Sequence, residues 1–249
     1  MPAWTSRGTS DAARPPSPTP RLRWPPTRLL LFAAGAAPGA WLGWQHLQGA
    51  LGADPLSALV HRSGWWALFW LLATLAVTPL RRLSVALSRW AEWRWGRRLA
   101  DWNGLVRQRR QLGLWSFAYA SVHLALYAVL DAGSWQELFA DASERPFIAV
   151  GWLALLALLP LAATSNQAAM RRLKKHWARL HRLAYGAAAA ALLHAWWQSK
   201  VGQPLPWDFT AAATLALVAR LWAWWRGDRA PAQEVPPRQP RRPRHPPRY

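Results

Sequence analysis

The sequence of 249 residues contains no cysteine. That excludes disulfides, thiolate metal sites and cysteine nucleophiles, and it leaves the compartment undecided. Acidic residues are scarce, 11 against 31 lysines and arginines, for a formal charge of +20. The long apolar stretches carry no aspartate, glutamate or lysine in their interiors, which removes the usual groups of a proton relay or an ion path.

What is present is apolar: 52% of the residues are hydrophobic, and they fall in blocks. A bilayer crossing needs roughly 20 residues of helix. Six runs approach that length, at about 29–47, 64–80, 112–130, 146–163, 181–198 and 208–225. Pro38 and Pro160 lie inside two of them, where neighbouring helices can satisfy the freed carbonyls. The basic residues lie between the runs and in the tails. One side collects five up to Arg28, nine in 81–110, six in 171–182 and seven from Arg226 onward, which is 27 of the 31. The opposite side has Arg62, Arg145 and Lys200 and is slightly acidic (Asp54, Asp131, Glu137, Asp141, Glu144, Asp208), while Arg220 lies in the last turns of the sixth run. Lysine and arginine stay in the cytoplasm, and tryptophans at the run ends (Trp65, Trp66, Trp196, Trp197, Trp222, Trp224, Trp225) suit an interfacial belt. The expectation is an all-α integral membrane protein, a six-transmembrane-helix bundle with both termini cytoplasmic.

Residues 1–27 read as a disordered basic, Pro-rich cytoplasmic arm rather than a cleaved signal peptide, residues 28–226 as the membrane domain, and 227–249 as a disordered basic tail whose arginines can touch anionic membrane lipid. Strong positive charge also suits nucleic acid. Here the arginines flank apolar runs instead of lining one face of a soluble domain, so no nucleic-acid partner is expected. No internal repeat is visible.

Topology sorts the seven histidines. His245 falls in the tail, His176 in a basic loop, and His46 and His61 bracket the first external loop. All four are expected to be accessible to solvent. His123 in the third run, and His181 and His194 on the fifth, remain. A lone membrane histidine can simply hydrogen-bond to a neighbouring helix. Three on two helices, with no carboxylate beside them, point to metal ligation, and axial coordination of haem iron is the most natural use of neutral imidazoles on facing helices. Ser116, Tyr119, Ala120 and Tyr127 share a face with His123, and Ala187, Ala190, Ala191 and Gln198 share one with His194. Counting helical rise from the cytoplasmic ends puts His123 roughly 17 Å deep, His194 roughly 20 to 24 Å and His181 about 0 to 5 Å. His123 and His194 therefore form the better pair, near the outer leaflet, and His181 suits a second centre. On one ideal helix His181 and His194 would not share a face, being rotated by roughly 220° net. Tyr119, Tyr127, Trp196 and Trp197 are candidate pocket walls, and Arg145 a candidate partner for a haem propionate.

Five stretches carry a resemblance: "LGADPL", "LLATLAVTPLRRL", "RRQLGLWSFAYASVHLALY", "ERPFIAVGWLALLALLPLAATSNQAAMRRL" and "WARLHRLAYGAAAAALLHAWW". In this order they resemble the MsrQ (YedZ) family of the ferric-reductase-like transmembrane group, over about residues 29–225. The resemblance implies a haem b (one, or two), a bound FMN, electron input from quinol in the bacterial inner membrane, and output to a periplasmic molybdenum-containing MsrP that repairs methionine sulfoxide in oxidised proteins. It places the haem-associated histidines at His123, His181 and His194. The chain would be the electron-transfer subunit rather than the catalytic one. A self-standing ferric or cupric metalloreductase is the alternative, and a haem-free scaffold or transporter a third reading.

The charge asymmetry generates a direct test of topology. Reporter fusions after residues 55, 141 and 203 should behave as periplasmic, and those after 100 and 175 as cytoplasmic; the inverted pattern would overturn the orientation.

Overall fold

A computed structural model describes residues 26–91, 104–199 and 206–226, and every described element is helical. The N-terminal arm up to residue 25, residues 92–103 of the basic loop, Lys200 and the 227–249 tail with His245 lie outside the described residues. Among the described residues nine α-helices follow in order: α1 Pro26–Leu47, α2 Pro55–Ala91, α3 Gly104–Tyr127, α4 Trp135–Glu144, α5 Pro146–Ala163, α6 Gln167–Leu173, α7 Lys175–Leu180, α8 Leu183–Gln198 and α9 Trp207–Trp225. A π-helical turn, Ala128–Ala132, continues α3.

Local chemistry explains most of the boundaries. Asp54 accepts a hydrogen bond from the Ser57 amide at the start of α2, and Pro55 stands at its first position, where a missing N–H costs nothing. Ser134 caps α4 by accepting from the Glu137 amide, and Asn166 caps α6 by accepting from Ala169. Gly133, at φ 70°, ends the π turn in the left-handed region that glycine adopts without a Cβ penalty. Arg145 separates α4 from α5 with extended backbone, and Pro146 begins α5.

Each of the six apolar runs lies on a helix. Pro55–Leu83, Gln108–Leu130 and Pro146–Ala163 are long and apolar enough to cross a membrane. Large side chains such as Leu153, Leu156, Leu215 and Trp224 point outward, an arrangement that suits lipid rather than water. The chain is a multi-pass membrane protein. α2 begins nine residues before the expected run, so His61 and Arg62 stand on a helix and not in a loop. α4, α6 and α7 were not expected; the fifth run opens in a turn at His181–Arg182, between α7 and α8, and is helical from Leu183 on.

Two helix pairs, α2 with α3 and α5 with α8, make the closest packing, with α9 against α2 and α1 against α3. Leu68, Leu71 and Leu72 of α2, Leu158 of α5, and Ala187 and Ala188 of α8 form the core where the two pairs meet. The buried alanines let the backbones approach closely, which is how helices associate without a hydrophobic driving force.

Two prolines are mended by polar side chains. Within α1, the Tyr119 hydroxyl accepts from the Gly39 amide at 2.7 Å and donates to the Gly35 carbonyl at 2.8 Å. It thus bridges one i→i−4 pair of the helix beside Pro38. Within α2, Pro79 has no N–H for the Leu75 carbonyl, and the Arg220 guanidinium on α9 donates to that oxygen and, at 2.8 Å, to Ala216. Arg109 of α3 donates to Thr78, the neighbour of Pro79.

If Arg220 replaces the donor that Pro79 lacks, Arg220→Met should lower stability by about 1–3 kcal/mol, the usual cost of orphaning a buried acceptor. In a Pro79→Ala background, where residue 79 recovers its amide, the same change should cost clearly less. Thermal unfolding of the four proteins in detergent reads this coupling; simple additivity would refute it.

Candidate functional site

α2, α3, α5 and α8, with Phe209 of α9, enclose a cavity of about 690 Å³ at the end of the bundle holding the start of α2 and of α5. α3 contributes Ser116, Ala120, His123, Leu124 and Tyr127, which recur at the spacing of one helical face. α8 contributes Ala191, His194, Ala195 and Gln198. Small residues beside each histidine leave the space open.

Both histidines are oriented from the neighbouring helix. The His123 Nδ1–H donates to the Val60 carbonyl of α2 at 2.7 Å, and the His194 Nδ1–H donates to the Phe147 carbonyl of α5 at 2.6 Å. A carbonyl oxygen only accepts, so Nδ1 carries the proton in each ring. In a neutral imidazole Nε2 is then a free lone pair, the form that binds a metal. The two ring centroids are 6.1 Å apart with planes at 77°. Two imidazole nitrogens about 2 Å from one shared metal, with the depth of each ring added, place the centroids roughly 6 Å apart. Among the described residues no group of three or more His, Asp or Glu side chains converges. A metal held by this pair therefore takes its other ligands from elsewhere, as iron does in a porphyrin.

Two glycines complete the arrangement. A Cβ on Gly64 would lie 3.0 Å from His123 Nδ1, and one on Gly151 would lie 2.9 Å from His194 Nδ1. The same unit thus occurs twice, on α2/α3 and on α5/α8, although no repeat is visible in the sequence. Trp152 also lines the cavity, and its indole Nε1–H is buried without a hydrogen-bond partner.

The structure corrects several pocket assignments. Tyr127 lines the cavity and donates to Asp141, but Tyr119 points to α1. Trp196 donates to Thr210 and packs edge-on against Trp207, and Trp197 is exposed; neither lines the cavity. Arg145 lines the rim and pairs with Asp141 at 3.4 Å. His61, set aside as a loop residue, lines the cavity and accepts from the Gln198 amide at 2.8 Å, which no feature of the sequence around it signals. His46 and His176 are exposed, as expected.

His181 is not part of this cavity. It stands in the turn between α7 and α8, its ring edge-on to Trp177 at 3.9 Å, with Nε2 buried and without a hydrogen-bond partner. The helix break removes the premise of one continuous helix from His181 to His194, and with it the 220° argument. The remaining separation along α8 is about 20 Å.

Residues 63–192 match the family described as ferric reductase like transmembrane component. The chain is 43% identical over 223 residues to the protein-methionine-sulfoxide reductase heme-binding subunit MsrQ of Xanthomonas euvesicatoria pv. vesicatoria, covering 86% of this chain and 95% of the relative. It is 44% identical to the protein of the same name from Xanthomonas axonopodis pv. citri, covering 78% and 85% respectively. The Bordetella pertussis relative, also so named, is 40% identical over 79% of this chain and 89% of its own length.

Proposed function

The chain belongs to the MsrQ family of ferric-reductase-like transmembrane proteins, and from that premise we propose that it is the haem b electron-transfer subunit of a methionine sulfoxide reductase system. The observation that carries the reading is the pair of imidazoles whose Nδ1 protons are committed to carbonyls of neighbouring helices, with ring centroids 6.1 Å apart across the cavity.

His123 and His194 are the residues that would hold the haem iron, each through its free Nε2. A haem b so held would supply a one-electron couple suited to outer-sphere transfer. The chain holds the two rings in one tautomer and walls the site with Ala120, Ala191, Leu68 and Leu71. Its Arg62 and Arg145 bring positive charge to the mouth, where carboxylates of a bound macrocycle would be neutralised. The domain spans 28–226 as six transmembrane helices between the basic stretches 1–27 and 227–249, in the inner membrane with both termini cytoplasmic. Quinol delivers electrons at the basic end, FMN binds with the chain, and a periplasmic MsrP-like molybdoenzyme receives electrons at the histidine end. Asp54 and Asp141 at that end are engaged within the protein, by the Ser57 amide and by Tyr127 with Arg145. Such committed carboxylates favour a protein partner over a ferric or cupric ion docking there.

His181 lies at the opposite end of α8, and its unpartnered buried Nε2 supports a separate role, as a ligand of a second centre or a contact of flavin or quinone.

Purified His123→Ala and His194→Ala proteins should lose the sharp low-spin absorption bands of reduced haem or turn high-spin, and quinol-driven reduction of the partner should fail, while the helices still insert. An unaltered low-spin spectrum in either variant would remove that histidine from the ligand set.

His181→Ala should slow electron entry several-fold and leave the outer haem spectrum mostly intact. Stopped-flow reduction followed in the haem bands separates the two effects; loss of all haem would instead make His181 a primary ligand.

A further inference from the structure

We infer that Gly64 and Gly151 are positioning residues that set the angle between the two imidazole planes; the inference rests on the haem reading above and adds to it. In each half of the site the histidine donates to the carbonyl of the residue four positions before a glycine: Val60 before Gly64, Phe147 before Gly151. On a helix, positions i and i+4 lie above one another on one face. Carbonyl and bare Cα therefore form a slot. The hydrogen bond fixes the Nδ1 edge of the ring but leaves rotation about that bond free. Contact of the ring with the glycine removes that rotation.

The distances locate this contact on the ring and not on the partner backbone. A Cβ on Gly64 would meet His123 Cε1 and Nδ1, both at 3.0 Å, and one on Gly151 would meet His194 Nδ1 at 2.9 Å and Cε1 at 3.0 Å. Real Cβ atoms rarely come so near, so a methyl at either position must displace the imidazole. Glycines kept only for close helix approach would face backbone. Gly43 and Gly186, by contrast, have nothing within 4 Å of such a Cβ. The two slots stand on different helices, α2 and α5, and the rings they hold cross at 77°. The near-perpendicular crossing is a product of the slots.

Perpendicular axial imidazoles leave the iron d orbitals that they influence nearly equal in energy. A low-spin ferric centre then gives a strongly anisotropic electron paramagnetic resonance signal dominated by one low-field feature. Parallel rings split those orbitals and give an ordinary rhombic spectrum with three resolved features.

The test records this spectrum, with a haem midpoint potential, on the full-length holoprotein in detergent and on Gly64→Ala, Gly151→Ala and the control Gly186→Ala. The expected result is a single low-field signal in wild type and control, with intensity moved to rhombic features and a shifted potential in the two slot variants. A slot variant that keeps its helicity by circular dichroism but binds no haem, while the control binds it, also supports the slot. If neither slot variant accumulates, the wild-type signal decides. A rhombic low-spin signal in wild type, or an unchanged signal in both haem-replete slot variants, overturns the inference and leaves the haem reading standing. Absence of any low-spin ferric signal in wild type overturns the haem reading itself.

Discussion

A hydrogen bond from an imidazole N–H to a carbonyl of the neighbouring helix, made twice, is the contact on which the site depends. Inside a bilayer no water satisfies a stray donor, so the protein must do so itself. The bonds from His123 to Val60 and from His194 to Phe147 satisfy the donor and choose the tautomer. They also tie α3 to α2 and α8 to α5 at one level. A slip of one helical turn, about 5.4 Å, would break either of them. The two tightest helix pairs are the two that carry a histidine. The cavity is what remains between these pairs once each histidine is committed to its own partner helix.

Several other polar groups in the spans follow a different rule. Ser116 donates to Ala67, Thr74 to Trp70, Tyr119 to Gly35 and Arg220 to Leu75, so each is consumed by the backbone. They close gaps in helices or between them. His123 and His194 also use one nitrogen in this way, but each has a second nitrogen left over. That surplus separates the site from the scaffold, and it explains why polar character alone does not mark a functional residue here.

The parts of this arrangement written in side chains were legible. Runs of apolar residues located the helices, and an imidazole in such a run, with Ala120 or Ala191 beside it, located the site. What was hidden belongs to the backbone. Any residue could supply the carbonyl of Val60 or Phe147, so neither position carries a signal. Gly64 and Gly151 look like ordinary small residues in apolar text until the ring above each is known. His61, Arg62 and Ser63 made the start of α2 look like a loop, because polar residues at a helix end and in a connection read alike. Tyr119 has the spacing of a pocket residue, but its hydroxyl found a helix to mend on the other side. His181 stands one short helix beyond Lys174, whose positive φ of 47° marks the break between α6 and α7, and nothing in "RRLKKHWARLHRL" announces that break or the turn at His181.

The bond from Arg220 to the Leu75 carbonyl bears on how the protein is made. α2 emerges early from the ribosome with a carbonyl that its own helix cannot satisfy, and the donor arrives only with α9, 145 positions later. Until then the partly built bundle carries a flaw, a carbonyl that Pro79 leaves without its helical donor. Insertion of α9 closes the flaw, so the same contact that steadies the mature bundle also reports, during synthesis, that this helix has come home.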